Sequence, residues 1–263
     1  MLEGWLGWVE RTPCTYEQFS VIDIEEEAAC SSEVKARLKE LIVSSRQDPG
    51  FLSTMADYLD WQDVEELIVA ATTPTLERVK RGDFGEALAA TMLEEFHGYT
   101  IPVPKLRFKL AGNQTLPSTD TLALRFDDAG LVSEACFVES KLRTVRDIRA
   151  AVDGYEQLVS DYENKLPGIL MFVAHRLWEQ RHPLFDSFAK YMADRVHGTE
   201  RDTFRLGLCY DTCKWDEAAL LNLEDRGVEL PALRAHVTRI RDLRVLTDGL
   251  FSELGMTGEF EDE

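Results

Sequence analysis

Residues 119 to 143 read TDTLALRFDDAGLVSEACFVESKLR, two apolar runs either side of Asp127-Asp128-Ala129-Gly130. Asp and Gly in the break favour a tight turn, so the stretch predicts an antiparallel hairpin. Ala135, Cys136, Phe137 and Val138 make a strand that reads as core, yet it stops on Glu139, with Lys141 two positions later. Side chains alternate between the faces of a strand, so Glu139 and Lys141 point the same way. Asp120 stands at the start of the first run, and the hairpin brings it to the same end of the sheet as Glu139. Two carboxylates and an ammonium at one sheet end are either a surface ion pair with a turn residue beside it or a reaction centre.

The flanks favour the second reading. Glu-x-Lys also occurs at 33–35 and 163–165, in helical patterns; only Glu139-Ser140-Lys141 ends an apolar strand and precedes a helix. Upstream, TTPTLERVKRGDFGEALAATMLEEFHG (72–98) predicts a helix with Thr73 or Thr75 as its cap and Gly98 at its end. Glu86 rides on that helix, and Gly82 and Gly85 would allow a close approach. Two converging carboxylates repel unless a cation lies between them, and oxygen-only sites of this kind suit magnesium. Lys141 would then position the attacking water or offset charge on a phosphorane.

Further out, YTIPVPKLRFKLAG (99–112) reads as a strand with Lys105, Arg107 and Lys109 on one face. TVRDIRAAVDGYEQLVSDYENK (144–165) resumes helical periodicity, with Arg143, Arg146 and Arg149 spaced by three so as to face phosphate or solvent. GILMFVAH (168–175) reads as a central strand after Pro167. A helix containing Phe185, Phe188 and Met192, the strand TFRLGLCY (203–210) and a helix over 231–256 follow. Near the start, SSEVKARLKELIVSSR (31–46) has a Ser cap and apolar Val34, Leu38, Leu41 and Ile42, and FLSTMADYLDWQDVEELIVAA (51–71) suggests one or two more helices.

The 263 residues carry a formal charge of −19, which argues against a protein that coats nucleic acid on its own. The acid is uneven. Residues 78–149 hold 11 basic and 10 acidic residues, a net of +1, whereas residues 1–77 hold 5 and 16, a net of −11. No apolar run approaches the roughly 18 residues of a membrane span, and the opening is too short and acidic for a secretory signal. Five scattered cysteines predict neither a disulfide frame nor zinc, and a reducing cytoplasm fits. The five histidines form no site; His236 is expected in the last helix. Neither a nucleophile elbow nor a Walker loop is present. Trp5 and Trp8 are expected as core or interface anchors.

The order Glu86, Asp120, then Glu139-x-Lys141, on a helix and successive strands, resembles the PD-(D/E)xK restriction-endonuclease-like superfamily. The departure is that no Pro precedes Asp120, although Pro117 is near. More narrowly, roughly residues 80 to 175 resemble the HamA nuclease subunits of Hachiman antiphage systems. The resemblance implies an α/β, restriction-endonuclease-like core with a mixed central sheet flanked by helices over 76–215. An acidic, mostly helical segment (1–75) and a C-terminal helical segment with an acidic tail (216–263) would flank it. It implies a DNA endonuclease working with a HamB-like helicase, with Mg²⁺ (or Mn²⁺) held by Asp120, Glu139 and the Ser140 carbonyl. Lys141 would be the catalytic lysine, Glu86 an auxiliary acid, and Gln157 a candidate helper on the following helix. Two rivals stay open: an inactive nuclease-fold adaptor, and a stand-alone nuclease acting on RNA or DNA ends.

Overall fold

The computed structural model describes residues 8–11, 16–27, 30–58, 73–109, 111–114, 119–198 and 201–255. Trp5, Cys14, residues 59–72 of the second helical pattern, Pro117, Ser118 and the acidic tail from 256 lie outside them. Six strands form one mixed sheet in the order β1-β2-β6-β5-β4-β3. They are β1 (Trp8–Arg11), β2 (Ser20–Glu26), β3 (Thr121–Phe126), β4 (Val132–Arg143), β5 (Asp202–Asp211) and β6 (Leu233–Ile240). β2, β6, β5 and β4 run parallel to one another, and β1 and β3 are antiparallel at the two edges.

Seven α-helices are present among the described residues: α1 (Ser32–Arg46), α2 (Pro49–Ala56), α3 (Glu77–His97), α4 (Ala150–Glu179), α5 (Phe185–Val196), α6 (Ala218–Arg226) and α7 (Leu243–Gly255). Alternation along the strands sends the apolar residues to cores on the two faces of the sheet. On β5, Phe204, Leu206, Leu208 and Tyr210 join the core that holds Tyr155, Leu158 and Leu177 of α4 and Phe188 of α5. Cys209 faces the other way, into a core with Leu38 of α1, Phe84 and Leu88 of α3 and Leu250 of α7. A three-layer α/β sandwich results, as the sequence predicts. No helix among the described residues is long and apolar enough to cross a membrane.

The hairpin forms as read. Gly130 turns it at φ 75°, and β3 and β4 pair with Thr121 opposite Val138. Ser31 accepts from the Val34 amide at 3.2 Å to cap α1, and Leu38, Leu41 and Ile42 are buried. Trp8 is buried, as an anchor should be.

Three local expectations are overturned. Residues 168–175 are the second half of α4 and not a strand: Ile169, Leu170, Val173 and Ala174 are buried while Met171 is 59% exposed, a helical stripe hidden inside an apolar run. Residues 99–112 make no extended strand. Thr100 forms an isolated bridge to Leu124, and Lys105–Phe108 coil into a 3₁₀ turn, because Pro102 and Pro104 withdraw ladder donors. Within 231–256, β6 precedes α7, so His236 lies on a buried strand. The sheet also draws strands from both flanking segments: β1 and β2 join it from the N-terminal side, ahead of helices α1 and α2, and β6 from the C-terminal side.

Candidate active site

Thr121 pairs with Val138, and the next residues outward on the two antiparallel segments are Asp120 and Glu139, which brings them to one end of the sheet. One oxygen of Asp120, Oδ2, accepts from the Ser140 amide at 2.8 Å and from Ser140 Oγ at 2.7 Å. Lys141 Nζ donates to Glu139 Oε1 at 2.5 Å, so the two side chains do share a face. Lys141 reaches that position by crossing α4 at Gly154, where a Cβ would lie 3.2 Å from Lys141 Cγ. On the opposite side α3 approaches β4 at Gly85, whose Cβ would stand 3.4 Å from Leu142 Cβ. That approach carries the next residue, Glu86, toward the carboxylates. By contrast, a Cβ at Gly82 would meet nothing within 4 Å among the described residues, so that glycine admits no close neighbour there.

Glu86, Asp120, Glu139, Ser140 and Lys141 line one open cavity of about 460 Å³, together with Asp83, Lys105 and Lys109. The acids feel one another. Burial first, and then the Asp120 charge, push Glu139 up to about 7 and Glu86 up to about 8. Lys141 works against this at Glu139, and Lys105 and Lys109 work against it at Glu86.

Sequence reading missed three contributors. Asp83 on α3 is buried between Arg46 of α1 and Lys109, and ion-pairs with both. Burial brings Lys109 down to about 8. Asp161 on α4 is fully buried; its Oδ1 accepts from Gln157 Nε2 at 2.9 Å and pairs with Lys165 at 2.5 Å. Its charge raises Glu139 further. Gln157 is therefore joined to Asp161 and does not line the cavity. Only the contiguity of acid and base on α1, α3 and α4 in space marks these residues, and nothing in their spacing signals it.

Arg143, Arg146 and Arg149 do not form a helical row. β4 runs to Arg143 and α4 starts at Ala150, leaving the three arginines on the strand end and connecting loop. Asp147 accepts from Arg143 at 2.6 Å, Asp216 from Arg146 at 2.6 Å, and Asp153 pairs with Arg149 at 3.4 Å. Arg143 alone of the three lines the cavity, where Arg78 and Arg81 join it.

Among the described residues no three Asp, Glu, His or Cys side chains form a ready-made cage for a metal ion. Magnesium does not need one: it is commonly held by one or two carboxylates, with waters and substrate phosphate filling the other positions. Asp120 and Glu139 at the wall of a 460 Å³ cavity fit that donor set, as does the repulsion that raises the Glu139 carboxyl. No curated protein matches the chain. The HamA family matches residues 32–224, which take in α1, the hairpin, α4 and β5, and membership in it suggests a component of Hachiman antiphage defence. The chain belongs to the HamA family.

Proposed function

We propose that this chain is the DNA endonuclease subunit of a Hachiman complex, a magnesium-dependent phosphodiesterase of the PD-(D/E)xK type controlled in the cytoplasm by a HamB-like helicase. One observation carries the reading: across the β3–β4 ladder Asp120 stands opposite Glu139, with Lys141 on the Glu139 side chain, at the wall of an open cavity. Asp120 and Glu139 would hold magnesium, with the Ser140 carbonyl as a third donor; Mn²⁺ would substitute. Bound there, the ion supplies Lewis-acid charge to the phosphodiester.

The chain's own groups do the rest. The Ser140 amide and hydroxyl fix one oxygen of Asp120, leaving the other to turn into the cavity. Lys141, pinned by Glu139, holds a water for in-line attack and offsets charge that builds on the phosphate. Glu86, held largely protonated near neutral pH by burial, adds a neutral carboxyl that can donate its proton to the leaving oxygen. Arg143, with Arg78 and Arg81 at the cavity wall, steers phosphate, while Arg146 and Arg149 remain exposed for more distant backbone contacts. A charge of −19 keeps the isolated chain from binding DNA strongly, so a DNA-tracking partner delivers the substrate.

The test is nicking of supercoiled plasmid in Mg²⁺ by the wild type, Glu139→Ala and Lys141→Ala, with and without the helicase. Loss of at least about a hundredfold in both variants, with folding intact, supports the reading. Wild-type protein that never cuts, though folded and engaged with its partner on DNA, would instead be a nuclease-fold adaptor. Cleavage confined to RNA or to DNA ends would point to the stand-alone nuclease.

A further inference from the structure

A second cavity, of about 400 Å³, lies beside the catalytic one. Val103, Leu122, Ile169, Phe172 and Val173 give it apolar walls, and Lys105 and Asp120 line both cavities. The two spaces thus adjoin across Lys105 and Asp120, beside the start of β3. Its size and lining, apolar with a few polar groups at one side, are those of a small-molecule subsite.

Gly168 supplies an independent observation. It sits inside α4 with an ordinary helical backbone, where glycine is a poor helix former. Among the described residues a Cβ there would meet nothing within 4 Å, so neither a turn nor close packing against them requires glycine. The residue lines the second cavity. Phe172, one helical turn further on, is held in place by the Phe108 ring at 5.6 Å between centroids and by the Arg176 guanidinium at 5.5 Å.

We propose that this second cavity receives a nucleobase of the strand being cut, unstacked from its neighbours, so that the site acts on single-stranded or locally opened DNA. The inference rests on the nuclease reading. A strand whose phosphate lies at Asp120 and Glu139 has its adjacent sugar and base within reach of the shared wall at Lys105 and Asp120. An apolar wall containing an aromatic ring takes any base by its face, without sequence preference. A base inside a duplex is stacked and paired and does not reach such a wall unless it is extruded. A strand opened by a helicase already meets that condition.

The experiment uses the full chain carrying Lys141→Ala, to stop turnover, and a short single-stranded oligodeoxynucleotide containing one 2-aminopurine. Fluorescence reports unstacking of that base on binding. Gly168→Trp fills the cavity and Phe172→Ala removes its ring, while Gly168→Ala serves as the control that keeps the space. The expected result is a 2-aminopurine signal lost in Gly168→Trp, with single-strand affinity about tenfold weaker in both variants and unchanged in the control. Thermal unfolding at or above the parent temperature shows that Gly168→Trp has folded.

Cleavage assays on chains that keep Lys141 separate the two ideas. If Gly168→Trp cuts single-stranded DNA like wild type and gives the same fluorescence, the base pocket is overturned and the nuclease stands. If duplex is bound and cut as well as single strand, the base pocket is likewise overturned. If wild type cuts nothing but the fluorescence and its loss in Gly168→Trp persist, the base pocket stands and the nuclease reading falls.

Discussion

Ser140 holds one oxygen of Asp120 twice, by its amide at 2.8 Å and its hydroxyl at 2.7 Å. The residue between Glu139 and Lys141 thereby fixes the carboxylate that precedes the neighbouring strand. Ser140→Ala keeps the amide bond and removes the other. Loss of an orienting partner of this kind costs about ten- to hundredfold in metal affinity or rate. Mg²⁺ titration followed by plasmid nicking reads it; an unchanged titration would make the hydroxyl bond incidental.

On the proposed reading magnesium should stabilise the fold, because an ion held by Asp120 and Glu139 would bind their folded arrangement and not the open chain. At a hundred times its dissociation constant the gain is about 2.7 kcal/mol. Differential scanning fluorimetry with and without Mg²⁺ should show a rise in Tm for wild type and none for Asp120→Asn. Equal rises would place the ion elsewhere.

Gly154 is where Lys141 crosses α4, and a methyl group there would crowd Lys141 Cγ at 3.2 Å. Gly154→Ala should displace the ammonium while leaving the carboxylates in place. The expected signature is kcat lower by about ten- to hundredfold at an unchanged KM. A loss carried by KM instead would argue that Gly154 serves substrate binding.

Asp83 is the counter-charge of two buried cations, Arg46 and Lys109. Asp83→Ala takes the buried carboxylate away from both, and breaking a buried pair in this way costs about 3–5 kcal/mol. The ion pair of Glu77 with Arg81, at 46% and 29% side-chain exposure, is the contrast, and Glu77→Ala should cost under about 1 kcal/mol. Urea denaturation of the two variants compares them directly.

His236 is buried against Arg205, whose Nη1 donates to His236 Nε2 at 2.9 Å, and against His97. Burial, then the Arg205 charge, hold the imidazole well below its usual range. The unfolded chain therefore takes up a proton near pH 6.5 that the folded chain refuses, and stability contributed here is present above that pH and lost as pH falls below it. Relative to His236→Gln, wild type should lose up to about 1.4 kcal/mol per pH unit below 6.5. The comparison of the two chains cancels the titration of groups they share. A flat difference between pH 7 and 5 would mean that His236 protonates in place.

The hairpin and its acids were legible because every signal in residues 119–143 agrees: alternation, a Gly turn, and a charge pair closing an apolar strand. Glu86 was legible because an uninterrupted helical pattern carries it. The eight apolar residues 168–175 were not, since a short apolar run fits a buried strand as well as a helix, and Pro167-Gly168 gave a false boundary inside a 30-residue helix. The strand read over 99–112 failed on its prolines. Arg46 and Asp83 are 37 residues apart, and Lys109 is 26 beyond Asp83, distances over which no local pattern signals a pairing. Asp161 was hidden in the same way, its neighbours on the helix being ordinary polar residues.

The sheet also sets an order of assembly during synthesis. β2 ends at Glu26 and its partner β6 begins at Leu233, so 206 residues are translated between them (233 − 26 − 1). Until then β1 and β2 have no parallel neighbour and must wait, which lengthens folding through a contact of high sequence separation. The β3–β4 hairpin has no such delay, because its strands are joined by five residues, 127–131. Asp120 and Glu139 can therefore face each other on the nascent chain well before the two halves of the sheet are zipped together.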